Sequence, residues 1–347
     1  MKVLFITATL DTHTGWGRYS SALINEMKKQ GVAPVVVTLG DLPKPKTILQ
    51  FVGNCLRARD FASTCDIVHA LDTWPHAVYS FIAVLGTSKH LFVTAVGTYS
   101  VAPLASFLKR QLIRLVYQRA SKVFAISNYV SNLISNKIKT DKLETVYLGL
   151  SPLPLPSDKY HFDNYPIILT VGAVEYRKGQ LEIVEAMPRI LQKFSKALYV
   201  IASVSSDKAY RDKITKRVKE LDISNHVRFV DDADMDEDLS ALYNLCDIFV
   251  LVSRQFDGHV EGFGIVALEA ASFGKPIIAS RKSGVSEAMR EGYNGELVQT
   301  GDSVSIVEAV AKVLIKHEQY SRNSLDWVRQ FTWLRTASRY LDFYSRK

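Results

Sequence analysis

Residues Glu261 to Glu269 read Glu-Gly-Phe-Gly-Ile-Val-Ala-Leu-Glu, and this stretch predicts a loop that turns into a buried helix. Gly262 and Gly264 allow backbone angles that are closed to other residues, and they let a ligand come close to the backbone. The apolar run from Ile265 predicts a helix that starts near Gly264. Because a helix start presents unpaired N–H groups and the positive end of a dipole, it suits a phosphate.

These nine residues alone leave two interpretations open. In the first, the loop and the helix start form a ligand site that two carboxylates address at different points. In the second, they form an ordinary strand-to-helix turn with both glutamates in solvent, since so short a motif arises in many contexts. The segments on either side decide between the two.

Short apolar strands alternate with helical patterns along the whole chain. The strand candidates are residues 2–8, 34–39, 66–70, 90–96, 123–126 and 144–148, and then 167–171, 197–203, 226–230, 248–252 and 276–280. Runs of Val, Ile and Leu without polar alternation are typical of strands buried in a parallel sheet. With helices between them, such strands predict doubly wound α/β sheets.

A proline-rich stretch divides this alternation into two halves. Pro152, Pro154, Pro156 and Pro166 crowd a segment without periodicity, which is typical of a linker. The length of 347 residues fits two domains of ordinary size. We predict Rossmann-like domains over residues 1–155 and 156–325, with the remaining residues 326–347 forming a helical segment. A ligand of such a pair belongs in the cleft between the domains, at the carboxyl ends of the strands.

The composition indicates an ordinary globular protein, with 47% hydrophobic and 22% charged residues. No apolar run approaches the roughly 20 residues that span a bilayer, and Val3 to Ile6 is too short for a signal peptide, so we expect a cytoplasmic protein. Cys55, Cys65 and Cys246 lack metal-ligand spacing. The net charge of +8 favours an anionic partner, but no nucleic-acid-binding motif accompanies it, and we expect no nucleic acid.

Two glycines follow the first predicted strand of the N-terminal half, and two cations follow the first predicted strand of the C-terminal half. The glycines are Gly15 and Gly17, and the cations are Arg177 and Lys178, where a helix begins. Cations at a helix start oppose its dipole and need an anion nearby. Arginine offers a planar fork and lysine a point charge, which together suit a diphosphate. A solvated helix start is the alternative.

Together these motifs resemble the retaining glycosyltransferases of family 4, whose two Rossmann-like domains face a central cleft in the arrangement called GT-B. The resemblance covers nearly the whole chain. It is strongest over residues 247–298, which also contain Gly274-Lys-Pro-Ile-Ile-Ala279 and Gly292-Tyr-Asn-Gly-Glu-Leu-Val298. It implies a last helix that packs back on the N-terminal domain, and the anchors of that packing would be Trp333, Tyr340 and Phe343.

The resemblance also implies roles for the two glutamates and the loop between them. Glu261 matches the family's first glutamate, which contacts hydroxyls of the donor sugar. Glu269 matches the second glutamate, which holds the ribose of the nucleotide. The residues whose backbone N–H groups would meet the sugar and the phosphate are Gly262, Phe263, Gly264 and Ile265.

The basic pair and the N-terminal glycines receive roles in the same way. Arg177 and Lys178 resemble the pair that stabilises the leaving diphosphate. Gly15 and Gly17 resemble the loop that approaches the diphosphate from the facing domain. The implied reaction moves a hexose-type sugar, with retention, from a nucleotide diphosphate-sugar to a glycan or lipid-linked acceptor in surface polysaccharide or glycolipid synthesis.

No metal or other cofactor is implied, because protein groups would balance the charge of the diphosphate. Asp231-Asp232-Ala233-Asp234 contains the Asp-x-Asp pattern of metal-dependent transferases. We interpret this acidic run as a solvated turn before a helix, since so short a match is unspecific.

Two positions depart from the family pattern. Ala173 follows Gly172 where many members carry an arginine, and Arg177 would serve in its place. Val96 stands where the family often has a histidine that contacts the donor sugar. This substitution leaves open a catalytically weak nucleotide-sugar-binding subunit that assists a partner. A nicotinamide dehydrogenase ranks third, because Ser20 stands at the third glycine of the dinucleotide-binding pattern.

The segment from Pro103 to Arg119 predicts a basic amphipathic helix. Its apolar face contains Leu104, Phe107, Leu108, Leu112 and Leu115, and its cations are Lys109, Arg110 and Arg114. We favour packing of the apolar face on the sheet, because α/β folds need such helices. The alternative is contact with an anionic membrane surface, at the inner face of the membrane, or with a lipid-linked acceptor.

Overall fold

The computed structural model describes residues 1–12, 14–43, 45–203, 205–233 and 236–345. Contacts divide the chain into two compact units. Unit 1 contains Met1–Ser151, Asp257–Gly262 and the chain from Phe331 onward, and unit 2 contains Pro152–Phe256 and Phe263–Gln330. The first boundary between the units thus lies after Ser151, at the start of the proline-rich stretch. The sequence did not predict that six residues of the second half would pack within unit 1.

Unit 1 is built on a six-stranded parallel sheet with the order β2-β1-β3-β4-β5-β6. Its strands are β1 (Lys2–Ile6), β2 (Ala33–Val37), β3 (Ile67–Ala70), β4 (His90–Ala95), β5 (Lys122–Ala125) and β6 (Leu143–Thr145). The central strands are buried on both faces, as their unbroken apolar sequences predict. Because the chain direction across the sheet reverses after β2, the topological switch point of this sheet lies at the carboxyl ends of β1 and β3.

Helices connect these strands on both faces of the sheet. They are α1 (Gly15–Lys29), α2 (Ile48–Ser63), α3 (Val78–Val84), α4 (Thr98–Val101), α5 (Phe107–Arg119) and α6 (Asn128–Ser135). Hydroxyl side chains of Thr14, Thr47 and Ser127 cap the starts of α1, α2 and α6. Right-handed crossovers place α1 on one face and α2, α3 and α5 on the other, and α3 packs against both α2 and α5.

The helix predicted over residues 103–119 begins only at Phe107, after a short 3-10 turn at Ala102–Ala105. The packing that we favoured for its apolar face is wrong for Phe107, Leu108 and Leu115, which are exposed, whereas Leu104, in the 3-10 turn, is buried. Ile113, Val116 and Tyr117 pack inward, whereas Phe107 and Leu108 are 63% and 78% exposed. These three residues form a second, shorter apolar stripe with the spacing i, i+3, i+4, and this stripe is the buried one.

Unit 2 repeats the architecture with the strand order β12-β11-β10-β7-β8-β9. Its strands, all parallel, are β7 (Ile167–Val171), β8 (Leu198–Ala202), β9 (Val227–Val230), β10 (Ile248–Leu251), β11 (Ile277–Ser280) and β12 (Gly295–Val298). Its helices are α7 (Gln180–Lys193), α8 (Lys208–Glu220), α9 (Asp236–Leu245), α10 (Ile265–Ser272), α11 (Ser303–Ile315) and α12 (His317–Val328). The prediction of two doubly wound parallel sheets is confirmed.

The last helix, α13 (Trp333–Ser345), belongs to unit 1 and packs against α1. The Trp333 indole donates a 3.0 Å hydrogen bond to the Ser151 hydroxyl. Tyr340 and Tyr344 are buried beside His69, with ring centroids 5.5 and 5.8 Å from the imidazole. Within the described ranges, no helix is long and apolar enough to cross a membrane.

Candidate active site

The loop-to-helix turn of the opening motif lies at the carboxyl end of β10. Gly264 has φ +77° and precedes α10. A Cβ atom there would lie 2.7 Å from Cγ2 of Val285, so both the backbone angle and the packing require glycine. The sequence therefore placed the helix start correctly, and the first N–H groups of α10 lie at this edge of unit 2.

Glu269 lies in the second turn of α10 and is buried. Its Oε2 accepts a 2.7 Å hydrogen bond from the hydroxyl of Tyr243 on α9. The Tyr243 ring stacks on Phe273 at a centroid distance of 5.8 Å. A carboxylate held in this way has a fixed orientation, so the interpretation with two solvated glutamates is wrong for Glu269.

The basic pair lies at the carboxyl end of β7, the strand next to β10. Lys178 is buried, and a Cβ on Gly172 would come within 3.3 Å of its Nζ. The Nε of Arg177 lies 2.9 Å from a carboxylate oxygen of Glu175. Gly179 follows with φ +76°, and a Cβ there would lie 2.4 Å from the Val252 carbonyl oxygen. A solvated helix start is therefore wrong for Lys178.

Arg254 is a third cation at this edge, and no sequence pattern marked it. Arg254 follows β10, and its backbone N–H donates a 2.8 Å hydrogen bond to the Arg177 carbonyl. Its guanidinium forms an ion pair with Glu182 and lies over the Tyr176 ring, 4.9 Å from the centroid. Because the strand order of unit 2 reverses between β7 and β10, these cations lie at its topological switch point, where open α/β sheets bind ligands.

Glu261 lies in unit 1, within the short segment Asp257–Gly262. The residue before it, Val260, is hydrogen-bonded through its backbone to the Thr98 side chain. The residue after it, Gly262, accepts a 2.6 Å hydrogen bond from the Ser127 hydroxyl. The remaining loop residues Phe263 and Ile265 belong to unit 2, where the Phe263 side chain is buried.

The two N-terminal glycines differ in what the fold requires of them. A Cβ on Gly17 would lie 1.8 Å from the Asp11 carbonyl oxygen, so the first turn of α1 admits only glycine there. A Cβ on Gly15 would meet no atom within 4 Å. Packing therefore does not require glycine at position 15.

A buried polar cluster follows β3 and β4 in unit 1. Oδ1 of Asp72 accepts hydrogen bonds from the Thr73 N–H at 2.6 Å and from the Ser100 hydroxyl at 2.9 Å. Burial raises the pKa of Asp72 to about 8. His76 is buried against the Trp16 ring, and burial lowers the pKa of His76 to about 4. No spacing rule in the sequence marked Asp72.

The acidic run before α9 is an exposed, ion-paired surface. An oxygen of Asp231 lies 2.6 Å from Arg211, and an oxygen of Asp232 lies 3.3 Å from Lys159. Both side chains are at least half exposed. Asp234 of this run lies outside the described residues.

Comparison with known proteins shows similarity to glycosyltransferases. Residues 156–324 match the model of glycosyl transferases group 1. An uncharacterized glycosyltransferase of Methanocaldococcus jannaschii is 24% identical over 272 residues, which cover 77% of this chain and 72% of the relative. A GDP-mannose-dependent phosphatidylinositol monomannoside mannosyltransferase of Mycobacterium tuberculosis is 31% identical over 192 residues, which cover 53% of this chain but 49% of the relative.

The solved structures share the fold. Anabaena HepE in complex with UDP-glucose has a TM-score of 0.80 to this chain at 18% sequence identity, with 100% of both chains covered. At this identity the likeness concerns the fold alone. The sheet order of both units and the likeness to these solved structures give the chain the GT-B fold, and its residues 156–324 match the glycosyl transferases group 1 family.

Proposed function

We propose that this protein is a retaining glycosyltransferase that moves a hexose-type sugar from a nucleotide diphosphate-sugar to a glycan or lipid-linked acceptor. The observation that carries the proposal is the charge at the switch point of unit 2. There, Lys178, Arg177 and Arg254 lie on loops after neighbouring strands, and α10 begins after the second of these strands. A diphosphate is the anion that suits two cation types and a helix start together.

Glu269 would bind the ribose of the donor. Its carboxylate is buried and oriented by Tyr243. An ionised carboxylate accepts several hydrogen bonds, and the two ribose hydroxyls are donors. Glu261 would contact hydroxyls of the donor sugar, and the N–H groups of Gly262 to Ile265 would meet the sugar and the phosphate.

The chemistry follows from where charge develops. Cleavage of the bond between the sugar carbon and the diphosphate leaves negative charge on the diphosphate and positive charge on the sugar. Lys178, Arg177 and the start of α10 would stabilise the negative charge. Electrostatic stabilisation of developing charge is usually the largest single contribution to catalysis. The acceptor would attack from the face that the diphosphate leaves, and the diphosphate would take the proton of the acceptor. Glu261 is not a covalent nucleophile in this scheme.

We also propose a membrane contact through a surface of α2 and α5. On α2 the exposed apolar residues are Ile48, Leu49, Val52 and Leu56, and on α5 they are Phe107, Leu108 and Leu115. Lys109 and Arg114 of α5 are exposed as well. Apolar side chains with cations at their margin suit an anionic lipid surface. This contact would hold the enzyme at the inner face of the membrane, where it would reach a lipid-linked acceptor for glycolipid or polysaccharide synthesis.

The donor and the reaction are tested with the purified chain and a panel of nucleotide sugars. The mannosyltransferase relative is GDP-mannose-dependent and HepE binds UDP-glucose, so the panel contains both bases. Thermal shift should identify one base, and transfer in the presence of EDTA should persist, since no metal takes part in the scheme. NMR of the first product should give the anomeric configuration of the donor.

Each other outcome of this panel supports a different function. Donor binding without hydrolysis or transfer to any acceptor would favour the catalytically weak partner subunit, which Val96 motivates. Binding of a nicotinamide dinucleotide without binding of any nucleotide sugar would favour a dehydrogenase. A product with inverted configuration would contradict retention.

A further inference from the structure

The segment Asp257–Gly262 packs within unit 1, although the residues on both sides of it belong to unit 2. Two backbone residues of the segment are held by hydroxyl side chains of unit 1. The Thr98 hydroxyl accepts a 3.1 Å hydrogen bond from the Val260 N–H and donates one of 3.1 Å to the Val260 carbonyl. One hydroxyl thus satisfies both backbone groups of a buried residue.

Ser127 holds the other side of Glu261. Its hydroxyl oxygen caps α6 by accepting a 3.1 Å hydrogen bond from the Val130 N–H. Its hydrogen is therefore directed elsewhere, and it donates a 2.6 Å hydrogen bond to the Gly262 carbonyl. Ser127 is completely buried, so loss of this bond would leave a buried carbonyl without its partner.

Two glycines let the segment approach the loop after β4. A Cβ on Gly262 would lie 2.4 Å from the Val96 carbonyl oxygen and 3.0 Å from Cδ1 of Ile126. Gly97 has φ +139°, and a Cβ there would lie 3.3 Å from Cα of Gly262. The two backbones therefore meet without intervening side chains, which leaves Gly262 little room to move.

The loop after β4 is itself anchored. The Val96 N–H donates a 3.1 Å hydrogen bond to the Ser100 hydroxyl, which donates in turn to Asp72. Thr98 lies between these anchored residues and carries the hydroxyl that holds Val260. The segment therefore rests on a fixed part of unit 1.

We infer that Thr98 and Ser127 are positioning residues that hold Glu261 by fixing the backbone of Val260 and Gly262. This inference rests on the proposed role of Glu261 as a contact of the donor sugar. Because Thr98 and Ser127 act through the backbone, their loss should displace the Glu261 carboxylate. A misplacement of about 1 Å at a reacting centre lowers rates by up to about 100-fold. Nucleotide affinity should change little, since Glu269 and Lys178 belong to unit 2.

The test compares Thr98→Val with Thr98→Ser and with Thr87→Val. Valine has the shape of threonine without its hydroxyl, and serine keeps the hydroxyl. Thr87 is a matched control, because its hydroxyl also donates to a carbonyl and accepts from an N–H, of Val84 and Lys89, in unit 1. Amide hydrogen exchange of residues 257–262, kcat, KM and the nucleotide Kd are measured for each variant.

We expect faster exchange in residues 257–262 and a kcat lowered tenfold or more for Thr98→Val, with a nucleotide Kd within about threefold of the parent value. Thr98→Ser should restore both, and Thr87→Val should change neither. Ser127→Ala should behave like Thr98→Val. Unchanged exchange in Thr98→Val would overturn the hold on the segment, and faster exchange with unchanged kcat would overturn the positioning role. If the parent protein transfers no sugar, the proposed function is contradicted instead. Amide exchange of residues 257–262 would then still show whether Thr98 holds the segment.

Discussion

At the scale of single residues, the two glutamates of the opening motif lie in different units and have different surroundings. Glu269 is buried in a helix and bonded to a tyrosine, whereas Glu261 lies on a short segment held by unit 1. A buried carboxylate that binds a ribose contributes to affinity. A carboxylate that contacts the transferred sugar contributes to the rate when its hydrogen bonds strengthen as the bond breaks.

We therefore predict that Glu261→Gln affects mainly the rate and that Glu269→Ala affects mainly the nucleotide affinity. Glu261→Gln should lower kcat strongly and leave the affinity for the nucleoside diphosphate nearly intact. Glu269→Ala should weaken that affinity by about 10- to 100-fold, which corresponds to the 1.5–3 kcal/mol of a hydrogen bond to a charged group. Calorimetric titration and steady-state rates separate the two effects. Glu308→Gln, on the exposed side of α11, is the control, and equal losses of affinity in both variants would contradict the division of roles.

Tyr243 offers a second prediction at this scale. Tyr243→Phe removes the hydroxyl that orients Glu269 and should weaken nucleotide affinity several-fold. Tyr199→Phe is its control, because it removes a buried hydroxyl of the same unit that donates to Thr170. Both variants should lose about 1 kcal/mol of unfolding free energy. If affinity falls equally in both, the orientation of Glu269 by Tyr243 has no part in binding.

Asp72 gives a prediction about pH. Burial raises the pKa of Asp72 to about 8, whereas an unfolded aspartate has a pKa of about 3.9. Between these values the folded chain keeps a proton that the unfolded chain has lost. The free energy of unfolding should therefore fall as pH rises through this window, by at most about 1.4 kcal/mol per pH unit.

Asp72→Asn keeps an acceptor for the Thr73 N–H and the Ser100 hydroxyl and removes the titration. As pH rises from 5 to 8, the free energy of unfolding of the variant should increase relative to that of the parent protein. Urea unfolding at several pH values measures this difference. Burial also lowers the pKa values of His69 and His76 to about 3 and about 4. Both proteins contain these histidines, so their contributions to the pH dependence cancel when the variant is compared with the parent protein. A difference that stays constant with pH would show that Asp72 ionises normally in the folded chain.

At the scale of elements, the sequence located the strands and helices better than the directions in which they face. Unbroken Val and Ile runs predicted β1, β7 and β10 because strands buried on both faces lack polar alternation. The apolar stripe of α5 was equally visible, but periodicity gives only the presence of a stripe. Which stripe is buried depends on partners distant in sequence, and α5 buries Ile113, Val116 and Tyr117 instead.

The exposed stripe of α5 gives a prediction for the whole helix. Arg114→Glu with Lys109→Glu should lower binding to anionic vesicles at least tenfold, because each cation near such a surface contributes about 1 kcal/mol. Phe107→Ser with Leu108→Ser should lower binding through lost apolar burial. Flotation with vesicles of phosphatidylglycerol and phosphatidylcholine measures both.

The control for α5 is Ile315→Ser, since Ile315 is an equally exposed apolar side chain on α11 in unit 2. It should bind vesicles like the parent protein. Binding that is equal for all variants, or that does not depend on the anionic lipid, would contradict a membrane contact through α5.

At the scale of the whole molecule, each unit is built from segments that are not consecutive in the sequence. The segment Asp257–Gly262 and the chain from Phe331 onward belong to unit 1, although unit 2 residues precede both of them. Composition and the proline-rich stretch predicted a division near residue 155, since a linker is a local feature. The membership of Asp257–Gly262 arises from hydrogen bonds to Thr98 and Ser127, more than 130 positions away in the sequence, and local patterns contain no signal for it.

The position of α13 in unit 1 leads to the last prediction. Tyr340 is completely buried, and its ring lies 4.4 Å from that of Phe124, between centroids. Tyr340→Ala should cost about 3–5 kcal/mol, as for other large aromatic side chains that are deleted from a core. Leu334→Ala, which truncates a largely exposed residue of the same helix, should cost less than about 1 kcal/mol.

Because each unit has its own sheet and core, the loss from Tyr340→Ala should concentrate in unit 1. Native-state amide exchange should show faster opening of β3, β4 and β5, with β7, β8 and β10 protected as in the parent protein. Equal acceleration in both sheets would show that the units unfold as one cooperative block. Unchanged exchange in unit 1 would mean that α13 is dispensable for its stability, which the burial of Tyr340 and Tyr344 beside His69 argues against.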